Sequence, residues 1–263
     1  MDDDSDLAGG VANAGHVRRQ GRYVLRPASV HSAVIHGFLA ALRAHGFDGA
    51  SRPVGIDPDG RERLVFIPGD VAIPPYPAWA QTDRSLASMA RLLRRYHDAS
   101  GHVGAPRGSW SDEMADPQGG PIVCHNDVCL ENVVFRDGEA VGLLDLDFAA
   151  PGRAVHDLAQ FARMCVPVDD DQNASRLGWS PADRAARLRV VADAYGLDAT
   201  GRASLLDLVD VSIARGGAFV RRRVEAGDPN FIAMWDGMGG EERFDRRRRW
   251  FAAERSRFAD ALA

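Results

Sequence analysis

The chain has 263 residues, 45% of them apolar and 26% charged, with a net charge of −5. These fractions are those of an ordinary globular protein and exclude a wholly disordered chain. The negative balance leaves no electrostatic footprint for nucleic acid or an anionic membrane. No apolar run approaches the roughly 20 residues of a membrane span. The acidic start Met1-Asp2-Asp3-Asp4-Ser5-Asp6 has the wrong charge for a targeting peptide, so the expected location is the cytoplasm.

Cysteine and lysine narrow the chemistry. Three cysteines, Cys124, Cys129 and Cys165, with no CxxC, argue against a disulfide framework and a zinc site. Cys124 reads as a small buried hydrophobe, and Cys129 as the one to test for reactivity. The chain contains no lysine, which excludes a Schiff base, a Walker A loop and the strand lysine of ordinary kinases.

Residues 1–8 read as a disordered acidic tail, and residues 9–70 as a first unit of strands with one helix. Gly9, Gly10 and Gly15 are weak candidates for a phosphate-covering loop. The run Tyr23-Val24-Leu25-Arg26 is strand-like, and residues 32–45 have helical spacing up to Gly46. Segments 53–57 and 63–67 flank Pro58-Asp59-Gly60, a hairpin pattern that stops at Pro68-Gly69. Prolines 74, 75 and 77 mark a connection, and the boundary is expected near residue 70.

Residues 71–263 read as mainly helical. Leu86, Met89, Leu93 and Tyr96 form an apolar stripe behind the caps Thr82 and Asp83. Further helices are expected over 156–165, 181–195, 202–226 and 241–262. Ser180 and Pro181 supply a start signal, Gly196 a stop, and Phe244, Phe251 and Phe258 a core-facing stripe. His97 and His102 read as exposed helix-end histidines, and the arginine runs 221–223 and 246–249 as solvated faces.

The chemistry is concentrated between residues 122 and 157. A short apolar run, Ile122-Val123-Cys124, leads into His125-Asn126-Asp127. Asn132 opens the first of two apolar stretches around Asp137-Gly138, a strong hairpin signal. A two-residue loop would set Asn132 opposite Leu143, with Asp145 as its diagonal neighbour on the same face. Asp127, Asn132 and Asp145 would then converge. Hard oxygen donors of this kind suit Mg²⁺ bridging to phosphates, and a free carboxylate can take a proton from a hydroxyl, so the set suits phosphoryl transfer. Taken singly, each residue reads better as a turn former; the three in order around the hairpin favour the site.

The pattern His125-x-Asp127-x-x-x-x-Asn132, followed by Leu144-Asp145-Leu146-Asp147 and by His156-Asp157, resembles the aminoglycoside phosphotransferase family of the choline-kinase and protein-kinase-like group. The resemblance extends over roughly residues 9 to 260. It implies an α+β, two-lobed fold: a small β-sheet lobe with one helix, then a larger, mainly helical lobe. It implies Asp127 as catalytic base, Asn132 and Asp145 as metal ligands with Asp147 as an outer one, and His125 and Asp157 as braces of the loop. The nucleotide would meet Arg26 and the hinge residues Phe66, Ile67 and Gly69. Asp228, Asp236, Glu241 and Glu242 fall where the family's helical lobe supplies acids to a cationic acceptor. Mg²⁺, ATP or GTP, and a small hydroxyl-bearing acceptor are the implied ligands; the acceptor's identity and the oligomeric state are left open.

Two departures qualify the resemblance. Arg26 stands where the family has a strand lysine, and no acid occurs between Ala28 and Phe47 to serve as the helix glutamate paired with it. The alternative reading is therefore a catalytically weak or inactive kinase-like nucleotide-binding module.

Overall fold

Residues 5–7 and 16–263 are described by the computed structural model; Gly9, Gly10 and Gly15 lie outside them. The first lobe contains Ser5–Asp6 (β1), Arg18–Gln20 (β2), Tyr23–Pro27 (β3), Ser32–Ala44 (α1), Pro53–Ile56 (β4) and Arg61–Val65 (β5). The strands form one antiparallel sheet in the order β1-β2-β3-β5-β4. The tail expectation fails at Ser5–Asp6. These residues pair with Arg18 and Arg19, Asp6 meets Arg18 at 3.3 Å, and the Leu7 amide donates to Val17. Ladder hydrogen bonds hold these residues to β2.

Helix α1 buries Ile35, Phe38, Leu39 and Leu42. Phe38 stands edge-on to Tyr96 at 6.2 Å, which ties the first lobe to the second. The chain crosses through an irregular segment and a 3-10 turn, Ala78–Gln81. Asp70 exchanges two 2.8 Å backbone hydrogen bonds with Phe135, so the crossing is stitched to the second lobe.

The second lobe contains helices Asp83–Val103 (α2), Ala154–Cys165 (α3), Asp171–Arg176 (α4), Arg184–Tyr195 (α5), Ala199–Glu225 (α6), Pro229–Met238 (α7) and Gly240–Leu262 (α8). Thr82 caps α2 by accepting from the Ser85 amide. The α5 start moves from Pro181 to Arg184 because Asp183 captures the Ala186 amide at 3.0 Å. Helices α4 and α7 were not expected. Both are short and lack a long apolar stripe, although Asp170 and Asp228 cap them.

Two surface expectations are corrected. His97 is buried and bonded to Tyr195 and Asp157, because the apolar face of α2 packs it against α5. Arg247 is buried under the carbonyls of Val168 and Arg163 and is not part of a solvated face. No helix among the described residues is long and apolar enough to cross a membrane.

Candidate active site

Strand Ile122–Cys124 (β6) pairs with Ala150–Gly152 (β9), and Val133–Arg136 (β7) pairs with Glu139–Leu143 (β8). Asp137 and Gly138 both have positive φ, 53° and 77°, and form the two-residue loop that Asp-Gly signals. The register beyond it differs from expectation. Phe135 faces Ala140 but Val134 faces Gly142, so β8 carries an extra residue, and the Leu144 amide donates to the Asn132 carbonyl at 2.8 Å. Asn132 therefore lies opposite Leu144, not Leu143, because a bulge adds one residue to one strand. Asp145 then takes a left-handed φ of 58°, which Asp tolerates better than most residues. Despite the shift, Asn132 and Asp145 line the same two cavities.

The loop after β6 is held from beneath by Asp157, in the first turn of α3. Its carboxylate accepts from the His125 and Asn126 amides at 2.7 and 2.8 Å and meets His97 Nε2 at 2.9 Å. Burial alone would raise the Asp157 pKa; the His97 contact and these donors hold it below the ordinary value. Asn126, with φ of 64°, reverses the chain there. His125 Nδ1 accepts from the Asp127 amide, so its Nε2 donates to Leu144 O at 2.8 Å. That bond joins the loop to the residue preceding Asp145. Burial keeps His125 below its ordinary pKa.

Asn132 Nδ2 donates to both the carbonyl and the Oδ2 of Asp127, at 2.9 and 3.0 Å. Burial, then the nearby Asp145 charge, pushes the Asp127 pKa up to about 8.

Arg26, on β3, forms the other wall. Its guanidinium pairs with Glu62 through Nε, with Asp145 at 2.8 Å and with Asp147 at 2.6 Å. Glu62 sits directly across from Arg26 on β5 and also meets His36 of α1 at 2.7 Å. Burial would lower the Arg26 pKa, but the three carboxylates raise it. Burial and the Asp145 charge lift Asp147 to about 6. Sequence reasoning missed Glu62 and His36. The available signal was register: once β3 and β5 are paired, Glu62 is the only acid opposite Arg26.

Two cavities meet at this cluster. One, of about 340 Å³, lies under the sheet and is lined by Arg26, Phe66, Ile67, Gly69, Asn132 and Asp145. The other, of about 360 Å³, lies in the helical lobe and is lined by Asp127, Asn132 and Asp145 together with aromatic, methionine and arginine side chains. Asp228, Asp236, Glu241 and Glu242 do not line it. Local partners hold three of them elsewhere: Asp228 caps α7, Glu241 pairs with Arg221, and Glu242 with Arg249. Cys129 is buried and its thiol pKa is raised by burial and by Glu131, the opposite of a reactive thiol. Cys124 is fully buried.

The donor set can be tested against magnesium. No group of three His, Cys, Asp or Glu side chains is placed for a metal among the described residues. Among the described residues Asn132 Oδ1 and Asp145 Oδ2 accept no hydrogen bond, and Asp147 adds a carboxylate nearby. Two carboxylates and an amide fit a Mg²⁺ that retains waters and is completed by phosphates.

A small sheet bearing one helix, a helical lobe, and an Asp127–Asn132–Asp145 cluster at their junction define a two-lobed, kinase-like phosphotransferase fold. The chain belongs to the phosphotransferase enzyme family, whose model matches residues 109–205. It is 34% identical over 213 residues, 79% of each chain, to a trifolitoxin immunity protein of Rhizobium leguminosarum bv. trifolii. A choline/ethanolamine kinase family protein from Mesorhizobium loti shares the fold, with a TM-score of 0.62 and 18% identity over 98% of this chain and 92% of that one. So does APH(2'')-IIa in its ternary complex with streptomycin and ATP, with a TM-score of 0.53 and 12% identity over 89% and 91%.

Proposed function

We propose that the protein is a Mg²⁺-dependent small-molecule kinase that transfers the γ-phosphoryl group of ATP or GTP to a hydroxyl. The observation that carries this reading is the shared wall: Asn132 and Asp145 line both cavities, and Asp127 lines only the one in the helical lobe. A nucleotide under the sheet and an acceptor in the helical lobe would meet there. The ATP in the APH(2'')-IIa complex supports a nucleotide donor for this fold. The immunity protein suggests an acceptor that is toxic until phosphorylated.

Asp127 orients the acceptor hydroxyl. The hydroxyl oxygen bonds to the γ-phosphorus, the bond to the β–γ bridging oxygen breaks, the nucleoside diphosphate leaves, and the proton passes to Asp127. A carboxyl pKa near 8 suits a base working near neutrality. Arg26, anchored by Glu62, steadies the phosphates. Asn132, Asp145 and Asp147 would hold the magnesium, which would neutralise phosphate charge.

A second reading, a nucleotide-binding module with little turnover, is favoured by one contact: Arg26 already engages both Asp145 and Asp147. Thermal shift with ATP and with GTP, each with and without Mg²⁺, for wild type and Asp145→Ala tests the site. A ligand at roughly 100 times its dissociation constant adds about 2.7 kcal/mol. A Mg²⁺-dependent shift lost in the variant, with nucleoside diphosphate released on adding acceptors, supports the kinase. The same shift with no release across a broad acceptor panel supports the module. No shift with either nucleotide overturns both.

A further inference from the structure

The helical-lobe cavity contains two arginines that, among the described residues, have no carboxylate within ion-pair distance; Asp127 acts on Arg163, and Asp169 and Asp170 on Arg243, only at longer range. Arg163 of α3 uses only Nε, donating to Ser212 Oγ at 2.9 Å. Arg243 of α8 makes no side-chain hydrogen bond among the described residues, and its Nε is buried without a partner. Among the described residues neither forms an ion pair, whereas Arg153, Arg223 and Arg246 in the same lobe each hold a carboxylate. The third arginine of the wall, Arg247, is committed to two carbonyls and to Asp169.

These two guanidinium groups carry the electrostatic strain of that arrangement. Burial, then repulsion from Arg247, brings each down to about 10, so both remain charged at neutral pH. Unpaired buried charge is strongly unfavourable unless something supplies the opposite sign. Arg163 keeps partial exposure, and the cavity is open to it. Gly216 leaves it room: a Cβ there would stand 3.0 Å from its Nη1. The acids of the same cavity are each engaged through at least one oxygen, Asp127 by Asn132, Asp145 by Arg26, Asp169 by Arg247 and Glu131 by the Tyr76 hydroxyl. Glu131 Oε2 is buried without a partner and, with Asp127 and the second oxygen of Asp145, is the competing anchor for a cation.

We propose that the acceptor is a hydroxyl-bearing organic carboxylate, its carboxylate held by Arg163 and Arg243 and its apolar body packed against Phe219 and Phe231. The fork of a guanidinium matches a carboxylate with two parallel hydrogen bonds. The hydroxyl then lies at the Asp127 end. This assignment rests on the kinase reading for the hydroxyl, but not for the anion.

The test uses three matched probes with the full chain: para-(hydroxymethyl)benzoate, its methyl ester, and para-(hydroxymethyl)benzylamine. Calorimetry measures binding to the nucleotide-free protein, and nucleoside diphosphate release measures transfer from Mg²⁺ with ATP or GTP. The acid binds at least tenfold tighter than the ester and the amine. Arg163→Gln and Arg243→Gln each abolish that preference while Tm holds or rises, because an unpaired buried charge is removed. A purely structural arginine predicts a fall in Tm instead. Equal or tighter binding of ester or amine, or no binding of the acid at millimolar concentration, overturns the proposal, and neither result requires a variant to fold. Arginine-dependent binding of the acid without diphosphate release keeps the anion site and overturns the assignment of the bound acid as acceptor; the kinase reading itself then yields only to the broad acceptor panel. Phosphorylation of the amine or ester but not the acid keeps the kinase and overturns the proposal.

Discussion

Arg26 and Glu62 face each other across neighbouring antiparallel strands and form a buried ion pair, in a chain that lacks the lysine–glutamate pair of the family it resembles. Glu62 is itself fixed by His36, so an element of α1 still contributes, through an imidazole in place of a carboxylate. Glu62→Gln keeps an acceptor but removes the charge. Stability should fall by about 1–3 kcal/mol, measured by urea denaturation, and the KM for nucleotide should rise about tenfold, equivalent to about 1.4 kcal/mol. An unchanged KM would show that Asp145 and Asp147 position Arg26 without help.

Asp127→Asn should lower turnover at least about a thousandfold, as expected when a positioned base is removed, and leave nucleotide affinity within a factor of a few. Its pH signature has a definite sign. The folded carboxyl titrates near 8 against an ordinary 3.8. Between those values the native state holds a proton that the unfolded chain has lost, so this group's contribution falls as pH rises. The stability advantage of the variant over wild type should therefore grow from about pH 4 to 8 and then level off. Chemical denaturation at pH 5, 7 and 9 reads it directly.

Acidification should destabilise the protein through Asp157 and His125. The folded Asp157 titrates below its ordinary value, so its contribution is full above that value and is lost as pH falls through the folded one. Buried His125 also titrates low, so below about 6.5 the unfolded chain gains a proton that the native state refuses. Both effects point the same way. Asp157→Asn places an amide where three donors converge and should cost about 3–5 kcal/mol, with Tm falling by several degrees at pH 7.

Gly69 lines the cavity under the sheet with φ of 149°, and a Cβ there would lie 2.4 Å from the Phe135 carbonyl oxygen. Gly69→Ala should destabilise by about 1–3 kcal/mol and weaken nucleotide binding by displacing the hinge from β7. Gly55→Ala, on the same sheet with open space around it, serves as the control and should leave nucleotide affinity unchanged.

The sequence by itself determined the local, short-range features. Asp137-Gly138 specified a two-residue turn, since both positions need positive φ. The helical periodicity specified α1, α2 and the long C-terminal helix, since each buries a repeating apolar face. The order of His125, Asp127, Asn132 and Asp145 marked the cluster. Only the tertiary structure decided what depends on partners distant in the chain. The bulge at Val141 moved Asn132 by one register position, because strand registry answers to packing on both faces and not to turn length alone. Glu62 became the partner of Arg26 because β3 pairs with β5, 36 residues along. His97 went inside because Asp157 and Tyr195 satisfy its two nitrogens. The acids 228, 236, 241 and 242 stayed out of the helical-lobe cavity and arginines 163 and 243 entered it, because charge placement follows the crossing of α3, α6 and α8, and no spacing along one helix encodes that crossing.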